Sequence, residues 1–288
     1  MPDRASGGDA ARRAQSRDRV TPRPALALLI LAFACAAASC AAPRVTLPSG
    51  AGTPFPGFVP AYTQATADCR DIKTMSASLS LSGRAGSTKL SARIDAGFAD
   101  SSRLRLEGYP RVHFGGKPFF VLVARGGEAT LVLTRDGRVL RGAAPSAIME
   151  ALAGIALEPD ELRALVSGCA LGAGEPSAGR TLDNGWASVD TGATTVFLRQ
   201  IDGQWRVSAA RRGSLTVEYS DGAGSRPSTV RLRTTAAPGV APADLTLRIS
   251  QVDINAPLDD AVFDADVPRD AAPLTLDELR RAGPLGGA

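Results

Sequence analysis

The sequence predicts a mainly β protein: one large antiparallel sheet that curls or closes, with two short helices on the sheet or on its concave side. Roughly a dozen short segments alternate apolar and polar residues at hairpin spacing, which is typical of antiparallel strands with one wet face. Glycine (30) and proline (20) are plentiful, as expected for many strands joined by turns. The apolar residues take a helical spacing only in short stretches, so helices interrupt the sheet and cover it.

The N-terminus has the pattern of an export signal. Residues 1–24 are rich in arginine, residues 25–38 form an apolar run too short to span a bilayer comfortably, and small residues lead to Cys40. We therefore predict a signal peptide over residues 1–39. The competing interpretation, ordinary cleavage near Ala38, would leave a soluble protein. Residues 40–61 are rich in proline and glycine and are predicted to form an extended tether.

The first half of the sheet is predicted from alternating stretches after residue 74, behind a short helix over residues 62–71. Residues 103–125 read RLRLEGYPRVHFGGKPFFVLVAR, which predicts a half-buried strand, an apolar-tipped loop and a strand covered on both faces. The loop residues Val112, His113 and Phe114 either have a use at the tip or fold back over the sheet.

Two short amphipathic helices follow. They begin at Pro145 and Pro159, where a first helical turn tolerates proline, and they end at Gly154 and Gly168. Their apolar positions are Ile148, Met149, Leu152, Leu162, Leu165 and Val166.

The strands then resume at residue 186. Residues 262–263 are predicted to close the sheet, and Thr275 with Glu278 has the spacing of a capping box that begins a short last helix. We assign residues 62–268 to the β domain and residues 269–288 to a C-terminal helix and tail.

The cysteines and charges narrow the functional classes. Cys69 and Cys169 form an even pair in an exported protein, which predicts a disulfide; the alternative is two free buried thiols. The absence of a CxxC spacing and the single histidine argue against a zinc site.

Residues 1–39 hold six Arg and three Asp, so the remainder of the chain carries 27 basic and 26 acidic residues with no dense basic run. We therefore predict no nucleic-acid partner.

No catalytic constellation is visible in the sequence. His113, the only histidine, has no orienting partner by spacing, and GxSxG, HExxH and P-loop motifs are absent. Adjacent acidic pairs such as Asp160-Glu161 are typical of helix starts and turns. We predict no catalytic residue, no metal and no cofactor, and hence a protein that is not an enzyme.

Three segments, taken in order, resemble the lipoprotein-localisation family that comprises the outer-membrane receptor LolB and its periplasmic carrier LolA. They are RLRLEGYPRVHFGGKPFFVLVA, AIMEALAGIALEPDELRALVSGC and TVFLRQIDGQWRVSAA, and the likeness spans about residues 74–255. The resemblance implies an incomplete antiparallel β-barrel of about 11 strands with short helices covering the concave face. It also implies a periplasmic LolA-like carrier as a partner.

The end of the signal, Ala37-Ala38-Ser39-Cys40, resembles the lipobox of bacterial lipoproteins. This resemblance implies that Cys40 carries a lipid anchor to the membrane. Because Ala41 rather than Asp follows Cys40, it further implies the outer membrane, with the domain facing the periplasm.

The family resemblance implies a cavity for lipoprotein acyl chains or phospholipid, lined by one strand face and the two helices. It also implies a membrane or transfer role for Val112 or Phe114 in the protruding loop. The same lining residues would equally fill an ordinary sheet–helix core. The candidate lining residues are Leu79, Leu81, Leu90, Ile94, Leu104, Leu106, Leu131, Leu133, Ile148, Leu152, Leu162 and Leu165.

Two functions of different class follow. In the first, a lipid-anchored outer-membrane protein holds acyl chains in a half-barrel and acts in lipoprotein or lipid delivery. In the alternative, the chain is a structural or assembly lipoprotein of the envelope, its core is filled, and its partner is another envelope protein. An open apolar cavity behind the helices would favour the first, and a close-packed interior would favour the second.

Overall fold

A computed structural model describes residues 46–111, 116–169, 171, 174–221, 226–236 and 241–283. The chain divides into two compact units, Met1–Thr46 and Leu47–Ala288. All the helices and strands described below belong to Leu47–Ala288, which therefore has its own sheet, core and disulfide.

The described residues form one open sheet of 15 strands rather than the predicted 11. The sheet order is β1-β8-β9-β10-β11-β12-β13-β14-β2-β3-β4-β5-β6-β7-β15. The strands are β1 (Thr53–Pro54), β2 (Thr74–Ala85), β3 (Thr88–Ala99), β4 (Arg103–Tyr109), β5 (Phe120–Arg125), β6 (Glu128–Leu133), β7 (Arg138–Ala143), β8 (Ala178–Thr181), β9 (Trp186–Thr191), β10 (Thr194–Ile201), β11 (Gln204–Arg212), β12 (Leu215–Asp221), β13 (Pro227–Thr234), β14 (Ala243–Ile254) and β15 (Ala272–Pro273).

The strand count was wrong because β1, β8 and β15 are too short to show an alternating pattern. Two of them hold two residues each and the third holds four. Strand β15 also pairs with β7 in parallel, so the sheet is mixed rather than wholly antiparallel. The long strands β2 and β3 show the predicted alternation of buried and exposed positions along their length.

In the ranges that the structure describes, four α-helices accompany the sheet: α1 (Phe58–Ala65), α2 (Pro145–Ala153), α3 (Pro159–Ser167) and α4 (Leu276–Ala282). Helices α2 and α3 begin at the predicted prolines and end at Gly154 and Gly168, whose φ values of 74° and 80° favour glycine. The capping box of Thr275 and Glu278 begins α4 as predicted.

The N-terminal part of the fold begins earlier than the sequence indicated. Strand β1 lies within residues 40–61, which were predicted to be a tether, and helix α1 begins there at Phe58 and ends at Ala65. The predicted helix over 62–71 is divided between α1 and a 3-10 helix, Ala67–Cys69. Strand β1 pairs with β8, so these residues are part of the sheet.

The core lies on the concave face, where strand residues meet α1 to α4 in one continuous apolar cluster. A second small cluster on the other face joins Ala99 and Val123 to Phe263. The prediction that residues 262–263 close the sheet was therefore wrong: they belong to a 3-10 helix, Asp260–Phe263, that covers β4 and β5 from outside. This cover explains why β5 is apolar on both faces.

Cys69 and Cys169 are joined in a disulfide, with Cα atoms 6.0 Å apart and a sequence separation of 100. It links the 3-10 helix after α1 to the chain directly after α3. The backbone carbonyl of Cys169 also accepts a hydrogen bond of 2.8 Å from the buried hydroxyl of Tyr219. The C-terminal end of α3 is therefore fixed to two separate parts of the fold.

Removing this disulfide should lower the free energy of unfolding by about 4–5 kcal/mol, because a closed loop of 100 residues restricts the unfolded chain. The measurement is urea unfolding of wild type and of the Cys69→Ser/Cys169→Ser double variant. An unchanged midpoint would show that the cross-link adds nothing to stability.

Candidate functional site

An apolar cavity of about 50 Å³ lies between the concave face of the sheet and helices α2 and α3. Six of the twelve residues predicted to line it do so, and all six come from strands β2, β3 and β4 or from the two helices. The complete lining is Leu79, Leu81, Ile94, Leu106, Phe120, Met149, Leu152, Ala153, Ile155, Leu157, Leu162, Leu232, Leu245 and Leu247.

The other six predicted residues lie in the same core but do not line this cavity. Leu133 is half-buried at its edge, and the remaining five are almost fully buried. They fill the space between sheet and helices as ordinary core side chains. The six are Leu90, Leu104, Leu131, Leu133, Ile148 and Leu165.

Sequence reasoning missed the part of the lining contributed by strands β13 and β14 and by the turn between α2 and α3. Leu245 and Leu247 lie on β14 beside β2, and Leu232 lies on β13 beside β14. Their distance in sequence from β2 hid these positions. Ile155 and Leu157 follow a helix end, and their burial at 4% and 3% is set by the tertiary fold rather than by a local pattern.

The cavity is small for a ligand site. Ligand pockets usually have volumes of about 300–1,000 Å³, and a water molecule occupies about 30 Å³. The volume of about 50 Å³ is thus a gap between the helices and the sheet. An acyl chain can enter only if a helix moves away from the concave face.

Helix α3 is fixed at both ends. Glu161 in its first turn is paired with Arg212 at the end of β11, and Arg163 donates a 2.9 Å hydrogen bond to the backbone carbonyl of Ile72. The disulfide at Cys169 fixes its C-terminal end. Displacing α3 would therefore break charged contacts and strain a covalent link.

Helix α2 is held more weakly. It buries Ile148, Ala151 and Leu152 against the sheet, and its polar link to the rest of the fold is an ion pair of 3.9 Å between Glu150 and Arg280 of α4. That pair is about half exposed, so solvent screens it. Of the two covering helices, α2 costs less to displace.

Helix α4 packs on α2 and is itself attached to the edge of the sheet. Arg138 of β7 contacts Glu278 at 2.9 Å and donates to the carbonyl of Pro273 at 3.0 Å. Leu279 is 3% exposed and belongs to the main core. The C-terminal segment thus joins α2 to the β7 edge.

The loop between β4 and β5 is described only at its two ends. Val112, His113 and Phe114 lie outside the described residues, as does Cys40, so their predicted roles stay predictions. At the loop's base the guanidinium of Arg93 lies 4.4 Å from the ring centre of Tyr109. Burial and the hydrogen bond with Glu107 raise the pKa of Tyr109 to about 12, so its hydroxyl stays protonated.

A second pocket of about 740 Å³ lies beside the disulfide, between α1 and α3, and sequence reasoning did not identify it. Charges of both signs line it: Arg70, Arg163, Asp160 and Glu175. Burial, with a smaller contribution from Glu175, raises the pKa of Tyr62 in this pocket.

Within the described part of the chain, no group of three or more His, Cys, Asp or Glu side chains could hold a metal ion. Over the same residues, no helix combines the length and apolar character needed to cross a membrane.

Comparison with known proteins gives matches only among solved structures. No protein-family model and no curated protein matches the chain. A LolA superfamily protein from Nitrosomonas europaea is similar at 12% identity and a TM-score of 0.46, covering 72% of this chain and 94% of that one. A putative outer membrane lipoprotein-sorting protein domain from Vibrio parahaemolyticus matches at 11% identity and a TM-score of 0.41, covering 71% and 96%.

The Mycobacterium tuberculosis lipoprotein LppX is a further match, at 10% identity and a TM-score of 0.27, covering 71% of this chain and 98% of that one. The N. europaea match carries the name of the family that the sequence resembles. Identities and TM-scores this low do not indicate what this chain does.

The attachment of α4 should weaken in acid. Hydrogen bonds from the backbone and hydroxyl of Thr275, and then from Arg138, lower the pKa of Glu278 from its ordinary 4.5 to about 2. A depressed carboxyl pKa contributes stability that is complete above the ordinary value and is lost as the pH falls through the lowered one. The stability difference between wild type and Glu278→Gln should therefore shrink as the pH falls from about 4.5 to about 2. Chemical unfolding across that range measures it, and a constant difference would contradict it.

Proposed function

We propose that this chain is a non-catalytic, lipid-anchored envelope protein that shelters acyl chains between its concave sheet face and helix α2. The observation that carries the proposal is a wholly apolar cavity against a continuous apolar sheet face, covered by a helix whose polar link is a half-exposed ion pair. Displacing α2 joins the cavity to the space that its own apolar side chains occupied.

The energetics favour acyl chains as the ligand. Each methylene transferred from water to an apolar site gains about 0.8 kcal/mol, so a chain of many methylenes can offset the cost of displacing one short helix. No polar side chain lines the cavity, so nothing there would orient a polar ligand. The cargo is accordingly a lipoprotein anchor or a phospholipid.

The remaining parts of the proposal come from the sequence resemblance. The protein is anchored through Cys40 in the outer membrane, takes its cargo from a LolA-like carrier, and uses Val112 or Phe114 in delivery. The net result is lipoprotein or lipid delivery to the outer membrane.

One observation favours the alternative of a structural or assembly lipoprotein with a filled core. The cavity of about 50 Å³ is smaller than a ligand site needs, and most of the predicted lining is almost fully buried. In that case α2 would stay closed, and the chain would act through another envelope protein.

Two neighbouring residues of β2 separate the alternatives. Leu81 lines the cavity and is 4% exposed, whereas the next residue, Ser82, faces the opposite side of the sheet. Leu81→Trp should weaken binding of a palmitoylated lipopeptide roughly tenfold or more, because an indole that displaces two methylenes removes about 1.6 kcal/mol. Ser82→Trp should bind as wild type does. Native mass spectrometry of the Leu47–Ala288 unit measures both.

Overpacking at Leu81 costs about 1–3 kcal/mol of stability, so a thermal unfolding curve accompanies each variant. Leu152→Ala supplies the opposite change: it enlarges the cavity, should strengthen binding, and should destabilise the fold by about 2–5 kcal/mol. If wild type ignores the lipopeptide, or if both tryptophan variants bind as it does, the filled-core alternative stands.

A further inference from the structure

The two ends of strands β2 to β7 carry opposite charge. At one end lie three connections, of which the structure describes residues 84–89, 110–111, 116–119 and 134–137; we call these residues the cationic end. Their sequences hold a single carboxylate, Asp136, against five cations. The cations are Arg84, Lys89, Arg111, Lys117 and Arg135, and all five are exposed.

Strand register brings the three connections together. Arg84 and Lys89 are direct partners across β2 and β3. Tyr109, the last residue of β4, is paired with Arg93, which is four residues after Lys89 on β3. The hydroxyl of Thr134 donates to the carbonyl of Pro118, which joins the third connection to the second. The five cations therefore lie on adjacent loops at one end of the sheet.

These cations are available to a partner. None of the five has an ion pair with another residue in the described ranges. Arg84 donates to the carbonyl of Ser87 at 2.9 Å, and Arg135 lies 5.8 Å from the ring centre of Phe119. The carbonyl and the ring carry no formal negative charge. Arg84 is opposite Asp244 across β2 and β14, and the carboxylate of Asp244 is paired with Arg231.

The opposite end is acidic. The segment around the 3-10 helix at 260–263 contains Asp259, Asp260, Asp264 and Asp266, and it contacts the far ends of β4 and β5. Two of its carboxylates are paired with arginines of those strands: Asp260 with Arg103, and Asp264 with Arg125 at 3.6 Å. The charge difference between the ends would orient the molecule near a charged surface.

The turn between α2 and α3, which supplies part of the cavity lining, is at the cationic end. The turn between α2 and α3 begins at Gly154, which is next to Ala85 at the β2–β3 hairpin and to Ala243 at the start of β14. Ile155 and Leu157 of this turn line the cavity. A ligand that enters when α2 moves therefore passes close to the five cations.

We propose that the cationic end is a docking surface for an anionic phospholipid membrane, which it approaches with the α2–α3 turn facing the lipid. This inference rests on the proposed function, since it names the surface at which that cavity would exchange acyl chains. Basic residues close to an anionic leaflet each contribute attraction, and aromatic side chains such as Tyr109 and Phe119 suit the headgroup level. The acidic end faces away from the membrane.

The test is co-sedimentation of the Leu47–Ala288 unit, which lacks the predicted anchor, with vesicles. Phosphatidylcholine vesicles containing phosphatidylglycerol should bind the protein, and phosphatidylcholine alone should not. Lys89→Gln/Lys117→Gln should weaken binding roughly 25-fold, at about fivefold for each cation lost. The matched control, Lys73→Gln/Arg226→Gln, removes two exposed cations from the opposite end and should bind as wild type does.

Added salt should weaken the binding, because it screens exposed charges. Equal binding to both vesicle types, or equal loss in both double variants, would overturn the proposal. The proposal would also be overturned if the protein bound no vesicles but bound polyglutamate, and if Lys89→Gln/Lys117→Gln abolished that polyglutamate binding. The partner would then be an acidic protein. Leu81→Trp separates this test from the proposed function: it should leave vesicle binding unchanged while it weakens lipopeptide binding.

Discussion

The pairing of β2 with β14 is the constraint on which the rest of the structure depends. Eleven residue pairs join these strands, from Ala85 with Ala243 to Met75 with Ile254. It unites two meanders, β2 to β7 and β8 to β14, and within each meander the neighbouring strands are consecutive in sequence. Without it, each meander would expose an apolar face that its own short helices could not cover. Gly83 permits the approach: a Cβ there would lie 2.1 Å from the carbonyl oxygen of Asp244.

A sheet with one apolar face must bury that face, and an open sheet cannot do so by closing on itself. Here the cover comes from the connection between β7 and β8, which supplies α2 and α3, and from α4 at the C-terminus. The two central helices are attached unequally. Charged contacts and a disulfide fix α3, whereas α2 relies on apolar contacts and α4. Because α2 is attached more weakly than α3, the helical cover of the sheet can open at α2.

The sequence predicted the features that depend on local periodicity or on capping chemistry. Helices α2 and α3 begin at their prolines and end at their glycines, and Thr275 and Glu278 begin α4, because these signals lie within one or two turns. The short strands β1 and β15 were missed, since two residues have no period. The position of Phe263 was wrong, because an apolar pair in the sequence does not indicate which face of a sheet it covers.

The cavity lining also contains residues that a local sequence pattern predicted and residues that only the tertiary fold brings there. Leu79 and Leu81 were placed correctly by alternation along one strand, but Leu104 and Leu131 share that alternation without lining the cavity. Alternation along a strand shows which face a residue occupies but not which part of the core it reaches, and only the tertiary structure sets that. The ring of Phe120 also shapes the lining because Gly108 on the neighbouring strand leaves room for it: a Cβ there would lie 2.1 Å from the ring. No single-strand pattern contains that relation.

The central claim is that acyl chains enter beneath α2. It is tested most directly by a reversible disulfide that attaches the C-terminal end of this helix to β14. A Cβ built at Gly154 lies 3.7 Å from that of Ala243, within the usual range of about 3.5–4.5 Å for a disulfide. The φ of 74° at Gly154 strains a cysteine in both redox states, so the comparison is made within one variant. Lipopeptide binding should be lost in oxidised Gly154→Cys/Ala243→Cys and should return on reduction, with wild type carried through the same reduction as the control. Equal binding by the oxidised and reduced forms would contradict the account, because acyl chains would then bind without opening of the α2–α3 turn.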